Sequence, residues 1–467
     1  VLLSVGLGTF MTALDSSVVN TLLPVIRREF AAGLDTIQWV VTSYLLVMAG
    51  LLLTFGRLGD MRGHRPVYLA GFAVFLLGSV LAGAAPDELF LVAARALQAL
   101  GGAMILANSP AILTAAFPPS QRGRALGLQA TMTYLGLTAG PTVGGWMAEA
   151  LGWRSVFYVN VPVGIAAAAV ARRCLPDDRG GGGRRERFDF PGAALFTAGF
   201  TALLLALNQG HAWGWGSVRT LLLLAAAAAL LAGFVRTELR SAEPMLDLSL
   251  FRIPTLSAST AAAVANYVCL YGVLFLLPLY LIQVRGLSPS RTGLLLSVQS
   301  VVMAVTAPLS GVLSDRVGSR APGTIGMALL GCGLLLLSRL GLDTHAGWTA
   351  AALAIVGLGT GIFISPNTSA LLGSAPAGRR GIASGVLATA RYVGMAVGVA
   401  LAGAVVTTVV AGRAGGEGLV AAVDAAFLAA VPFAAAGAAL SFRYGAPPPA
   451  EGSRAARGKG GGGNGGG

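Results

Sequence analysis

Asp15 and Arg95 are the residues best placed to do chemistry in this sequence, because each is ionisable and each lies inside a long apolar run. A charge away from water is costly, so such residues mark relays, pathways or paired sites. Counted as helix, Asp15 lies about 12 Å below one end of its run, and Arg95 about 9 Å below the matching end of its own. A carboxylate and a guanidinium at one level can pair. A buried carboxylate binds protons more weakly when a cation faces it and more tightly when alone, so a carboxylate whose pairing alternates can carry protons. Proton coupling by Asp15 and Arg95, a structural salt bridge, and direct cargo contact by Asp15 are all open. Thr9, Thr12, Ser16 and Asn20 extend a polar stripe along the same helix at spacings of three or four. Arg391 is the third charge within an apolar run. Bonding to backbone carbonyls and a gating role are both open to it.

Other chemistry has little material. His64, His211 and His345 are isolated, as are Cys174, Cys269 and Cys332, so neither a metal site nor a disulfide framework is expected. No GxxxxGK[ST] loop occurs, which argues against ATP as a driver. No nucleophile has a base at a suggestive spacing, so an enzyme is not expected and no cofactor is implied.

The elements that must position these groups follow from composition. At 55% hydrophobic residues, 11% charged and mean hydropathy +0.75, the chain is far more apolar than a soluble domain. Fourteen runs of about 18 to 28 apolar residues recur along it, each long enough to span a bilayer as a helix. The first run has no basic flank and is expected to be a span rather than a cleaved signal peptide. The net charge of +13 does not point to nucleic acid, because roughly two-thirds of the 32 basic residues fall in alternate loops and the tail. That asymmetry places both termini in the cytoplasm of a multi-pass protein and makes anionic lipid the partner of the charge.

An internal repeat organises the runs. GRLGDMRGHR starts at Gly56 and GVLSDRVGSR at Gly311, each in an expected cytoplasmic turn after a span, and the 255-residue offset matches that between the first helices of two sets. The expected organisation is a six-helix bundle at 1–171, a basic cytoplasmic loop at 172–189 and two inserted helices at 190–236. A cytoplasmic linker at 237–255, a second six-helix bundle at 256–442 and a disordered tail at 443–467 complete it. Within the fifth run, Gly136, Gly140, Pro141, Gly144 and Gly145 would wreck a soluble helix. In lipid, the same residues let a neighbouring backbone approach closely and allow a hinge.

At these residues the chain resembles the major facilitator superfamily, and within it the fourteen-span drug:proton antiporters. LDSSVVNTLLP (14–24), GRLGDMRGHR (56–65), RALQALGGA (95–103) and GPTVGG (140–145) are similar to its first-span, loop, fourth-span and antiporter motifs. WRSVFYVNVPVG (153–164), FDFPG (188–192) and EPMLDLSLF (243–251) resemble its sixth span and the borders of its extra spans. Met61 and His64 depart from the loop motif, and Ala99 from the fourth-span motif. The second loop copy, with Asp315, Arg316, Gly318 and Arg320, fits better than the first, with Asp60, Gly63 and Arg65.

The resemblance implies an all-α polytopic membrane protein of two six-helix bundles plus two inserted helices. It further implies export of small lipophilic compounds such as drugs or antibiotics, driven by protons, by a monomer in a bacterial plasma membrane. The loop motifs are implied to latch the cytoplasmic side. A dedicated exporter of one natural product is the alternative, and a transport-inactive receptor or membrane enzyme the alternative of another class. Asn20, Tyr44, Gln98, Tyr134, Tyr267, Tyr271, Gln299, Asn367 and Arg391 are the expected cavity residues, with neutral or monocationic amphipathic cargo preferred over dications.

Overall fold

The computed structural model describes residues 1–31, 34–175, 188–241, 244, 246–287, 289–410 and 416–443, and they fold as helices with no strand. The first half holds α1 (Leu2–Phe30), α2 (Leu34–Arg62), α3 (His64–Gly83), α4 (Glu88–Ala116), α5 (Arg122–Leu151), α6 (Ser155–Tyr158) and α7 (Asn160–Cys174). After it come α8 (Phe190–Trp213) and α9 (Val218–Glu238). The second half holds α10 (Pro254–Leu279), α11 (Pro289–Val317), α12 (Arg320–Leu337), α13 (Ala346–Ser374), α14 (Arg380–Val410) and α15 (Gly416–Phe442).

Local chemistry sets the helix ends. Asp87 accepts from the Phe90 amide to cap α4, Asp189 from Gly192 to cap α8, and Ser217 from Thr220 to cap α9. Gly63 and Gly318, at φ 92° and 82°, make the turns after α2 and α11, a left-handed geometry that side chains resist.

Thirteen stretches among the described residues are long and apolar enough to cross a membrane. The fifth expected span, 125–150, is folded within α5 but has no such stretch, because six glycines and four threonines in that helix dilute its apolarity. The sixth expected span is divided between α6 and α7, where Pro162 lacks an amide for the Tyr158 carbonyl.

Within the first half α1 packs on α5, and α3 and α2 on α4; within the second, α11 and α12 pack on α13, and α10 on α14 and α15. Two further crossings, α5 with α11 and α2 with α14, join the halves. The helices α8 and α9 pack on each other, and α8 also lies against α2 and α14. The expected loop 172–189 lies mostly outside the described residues, as does the tail.

Candidate functional site: a buried ion pair beside a central cavity

Asp15 and Arg95 meet. Arg95 Nη1 donates to Asp15 Oδ2 at 2.6 Å, with the two side chains 1% and 0% exposed. Gln98, one turn after Arg95 on α4, donates from Nε2 to Asp15 Oδ1 at 2.9 Å and to Ser79 Oγ at 2.7 Å. Asn160 donates from Nδ2 to the same Oδ1 at 2.9 Å. Arg95 also reaches Gln98 Oε1 at 2.5 Å, and the Tyr44 ring lies 4.1 Å from its Cζ. Both carboxylate oxygens are thus engaged, as a buried pair requires if attraction is to offset desolvation. Asn160 escaped the sequence reading, although its stretch was among the motifs; the break between α6 and α7 sets it at the first residue of α7.

Two adjoining cavities, of about 170 and 180 Å³, lie between the halves. The first is bordered by Tyr134, Tyr267, Tyr271, Gln299, Asn367 and Arg391, all expected there. The second is bordered by Tyr44, Thr12, Ser16 and Arg95, while Thr9, Tyr271, Arg391 and Tyr392 border both. Gln98 is a correction: it lines neither cavity, because the Asp15 carboxylate and Ser79 hold it inside the first half. Asp15 lines neither cavity and meets them through Arg95. The side chains of Asn20 and Pro141 lie outside the described residues. Among the described residues Arg391 makes no backbone bond of the kind open to it from sequence; Tyr267 and Tyr392 flank it, their ring centroids 5.8 and 5.7 Å from its Cζ.

The glycines of α5 do bring a backbone close. A methyl group on Gly136 would stand 2.6 Å from the Phe10 carbonyl and one on Gly144 2.5 Å from Val18, while one on Gly140 would collide with Ser17. Gly145 faces open space, so close packing does not account for it. Proline leaves the carbonyl four residues earlier without its helical donor. Ser17 Oγ supplies that donor to Leu137, four before Pro141, at 3.0 Å. The pattern recurs twice at 2.8 Å: across the seam Thr131 Oγ1 of α5 donates to Ala304, four before Pro308, and within the second half Ser310 Oγ of α11 donates to Ile362, four before Pro366. Hydroxyls on facing helices thereby tie α1 to α5, α5 to α11 and α11 to α13.

The loop motifs are less loop-like than their sequence suggests. Gly56 and Asp60 belong to α2, and Gly311, Asp315 and Arg316 to α11; only Gly63 and Gly318 are turns. Asp60 accepts from the Gly381 and Ile382 amides at 2.7 and 2.8 Å, capping α14. Asp315 accepts from Gly123 and Arg124 at 2.8 and 3.0 Å, capping α5. Each carboxylate therefore meets the positive end of a helix in the other half. Gly56 abuts Gly381 and Gly311 abuts Gly123 so tightly that a side chain at any of the four would collide with backbone. Arg65 donates to the Arg172 carbonyl at 2.7 Å, and Arg320 stacks on Phe442 at 3.8 Å.

Two helical halves joined along a seam, a cavity between them, and a buried ion pair beside it define a membrane transporter rather than an enzyme. The sequence matches the Major Facilitator Superfamily over residues 5–399, and the chain belongs to that superfamily. It is 39% identical to the multidrug resistance protein Stp of Mycobacterium tuberculosis over 410 residues, 86% of this chain and 75% of that one. It is 36% identical to the tetracenomycin C resistance and export protein of Streptomyces glaucescens, covering 86% and 74% of the two. Among solved structures, the human organic anion transporter MFSD10 superposes with TM-score 0.67 at 16% identity, covering 93% of this chain and 98% of that one. The proton:xylose symporter XylE gives TM-score 0.64 at 14% identity, covering 92% and 94%. At such identities these two show the fold alone.

Proposed function

We propose that this protein exports lipophilic compounds, drugs or antibiotics among them, in exchange for protons by alternating access in a bacterial plasma membrane. The observation that carries the proposal is the Asp15 network: a carboxylate held by Arg95, Gln98 and Asn160, of which, among the described residues, Arg95 is the one that borders a cavity. A proton on Asp15 removes the charge that holds Arg95, and Arg95 borders the second cavity beside Tyr44. Protonation inside the first half is thereby felt at the cavity wall. One such site supports one proton per cycle.

In this proposal the halves, 1–171 and 256–442, rock about the α5–α11 and α2–α14 crossings. The caps made by Asp60 and Asp315 hold the cytoplasmic ends together and release when that side opens. The antiporter motif on α5, Gly136 to Gly145, lets α5 pivot on α1 while Ser17 keeps the proline-freed carbonyl bonded. With α5 as the fourteenth span, both termini lie in the cytoplasm, and the protein works as a monomer. Export of a single natural product is the second reading. The relatives named as a tetracenomycin C resistance and export protein, a probable actinorhodin transporter and a cephamycin export protein favour it.

Vesicles holding the purified protein under an imposed pH gradient test the proposal. Uphill, gradient-dependent movement of an aromatic dye is expected, and its loss in Asp15→Asn. A gradient that moves no tested compound would favour the transport-inactive alternative.

A further inference from the structure

Arg391 sits at the junction of the two cavities, and among the described residues no Asp or Glu borders either of them. The other cation on the wall, Arg95, is neutralised by Asp15 at 2.6 Å. Arg391 has no ion pair and no hydrogen bond to protein among the described residues; its neighbours are the rings of Tyr134, Tyr267, Tyr271 and Tyr392. Aromatic faces at nearly 6 Å compensate a guanidinium weakly. An uncompensated charge at membrane depth is expensive to keep and marks a functional site. A second orphan lies on the same wall: Gln299 is 2% exposed, and its Oε1 has no partner among the described residues.

Resting on the export reading above, we propose that Arg391 is the specificity-determining residue of the cavity and that the cargo is a flat aromatic acid, carrying a carboxylate or an acidic phenol. The guanidinium fork matches a carboxylate or a pair of neighbouring oxygens, which a point cation does not. The tyrosine rings stack on a flat aromatic frame, and Gln299 Oε1 accepts from a hydroxyl or amide at its edge. This replaces the neutral or monocationic cargo expected from the sequence. That expectation rested on the scarcity of buried carboxylates, which disfavours dications but is silent about the unpaired cation.

The test uses two dyes built on one tricyclic xanthene frame, anionic fluorescein and cationic rhodamine 123. Each is titrated with the purified full-length protein in detergent at neutral pH and followed by fluorescence anisotropy. Wild type is expected to bind fluorescein about tenfold or more tightly than rhodamine 123, as a charge-assisted contact implies. Arg391→Gln is expected to erase that preference and Arg391→Lys to keep part of it. Ala388→Glu keeps Arg391 and adds a carboxylate one turn away on the cavity wall; it is expected to invert the preference, which guards against misfolding of the glutamine variant. A wild-type preference for rhodamine 123, equal binding of the two dyes, or a ratio untouched by Arg391→Gln and Ala388→Glu would overturn the proposal. Failure of the export reading is a separate result: it is seen as absence of gradient-driven movement in vesicles, while the binding ratios are measured without a gradient.

Discussion

Replacing Asp15 by asparagine keeps the side chain's shape and removes its charge. In the native network Oδ2 faces a guanidinium nitrogen at 2.6 Å and Oδ1 faces two amide nitrogens at 2.9 Å, so an amide nitrogen in either place points a donor at a donor. Among the described residues Arg95, 1% exposed, then keeps Gln98 Oε1 and a long bond to the Val40 carbonyl. Leaving one member of a buried ion pair uncompensated costs about 3–5 kcal/mol, and Arg95→Gln alone is expected to cost a similar amount. Removing both charges is a different perturbation. Neutral groups filling the place of a buried pair are near break-even, so Asp15→Asn combined with Arg95→Gln is expected to fall within about 2 kcal/mol of wild type. The assay is thermal unfolding of the four proteins in detergent at one pH, with proton-driven dye export from the same preparations. The double variant should be more stable than either single variant, yet none of the three should export uphill. Additive losses, leaving the double variant the least stable, would refute the energetic coupling. Full uphill export by Asp15→Asn would refute Asp15 as the proton carrier.

Thr131→Val keeps shape and removes the donor to the proline-freed Ala304 carbonyl across the seam, so a loss of about 0.5–1.7 kcal/mol is expected in thermal unfolding; an unchanged unfolding temperature would show that water replaces the bond at no cost. Gly381→Ala drives a methyl group into the Gly56 backbone. It is expected to hold the cytoplasmic ends apart, read as faster labelling of a cysteine at Ser384, and unchanged labelling would count against the seam as the closing surface. Hydrogen bonding to Ser249, helped by Arg379, holds the Asp247 carboxyl below its usual value in the linker before α10. A lowered folded value means the contribution is present above the unfolded value, about 3.9, and is lost as pH falls through the folded one. Amide protection over 248–252, corrected for the intrinsic pH dependence of exchange, should therefore fall below about pH 4, and Asp247→Asn should show that lower protection already at neutral pH. If the cargo is a monoanion exchanged for one proton, two positive charges move inward per cycle, each gaining about 2.3 kcal/mol per 100 mV. An inside-negative potential should then speed export of an acidic dye, and indifference to potential would rule out that stoichiometry.

Much of this protein is written in one dimension. Apolar runs of bilayer length can satisfy their backbone in lipid only as helices, so composition alone determined an all-helical membrane protein. The 255-residue repeat tied Asp60 to Asp315, and a shared depth from the membrane surface tied Asp15 to Arg95. Both inferences use distance along a helix axis, which sequence position measures directly. Rotation about that axis and contact between helices are set by packing, and there the sequence was silent. It could not say that Gln98 turns inward to Asp15 while Arg391, equally polar, turns to the cavity, nor that Asn160 completes the carboxylate's shell. It marked Pro141 as a hinge without showing that Ser17 holds the carbonyl the proline frees, that of Leu137, 120 residues from the serine. It set Asp60 and Asp315 in turns, and could not say that the helix each of them caps belongs to the opposite half. Sequence determined which helices exist and how deep each charge lies, because both follow from the cost of polar groups in lipid. Only the tertiary structure decided which charges are paired and which one is left facing the cavity, because pairing depends on neighbours 80 or more residues apart.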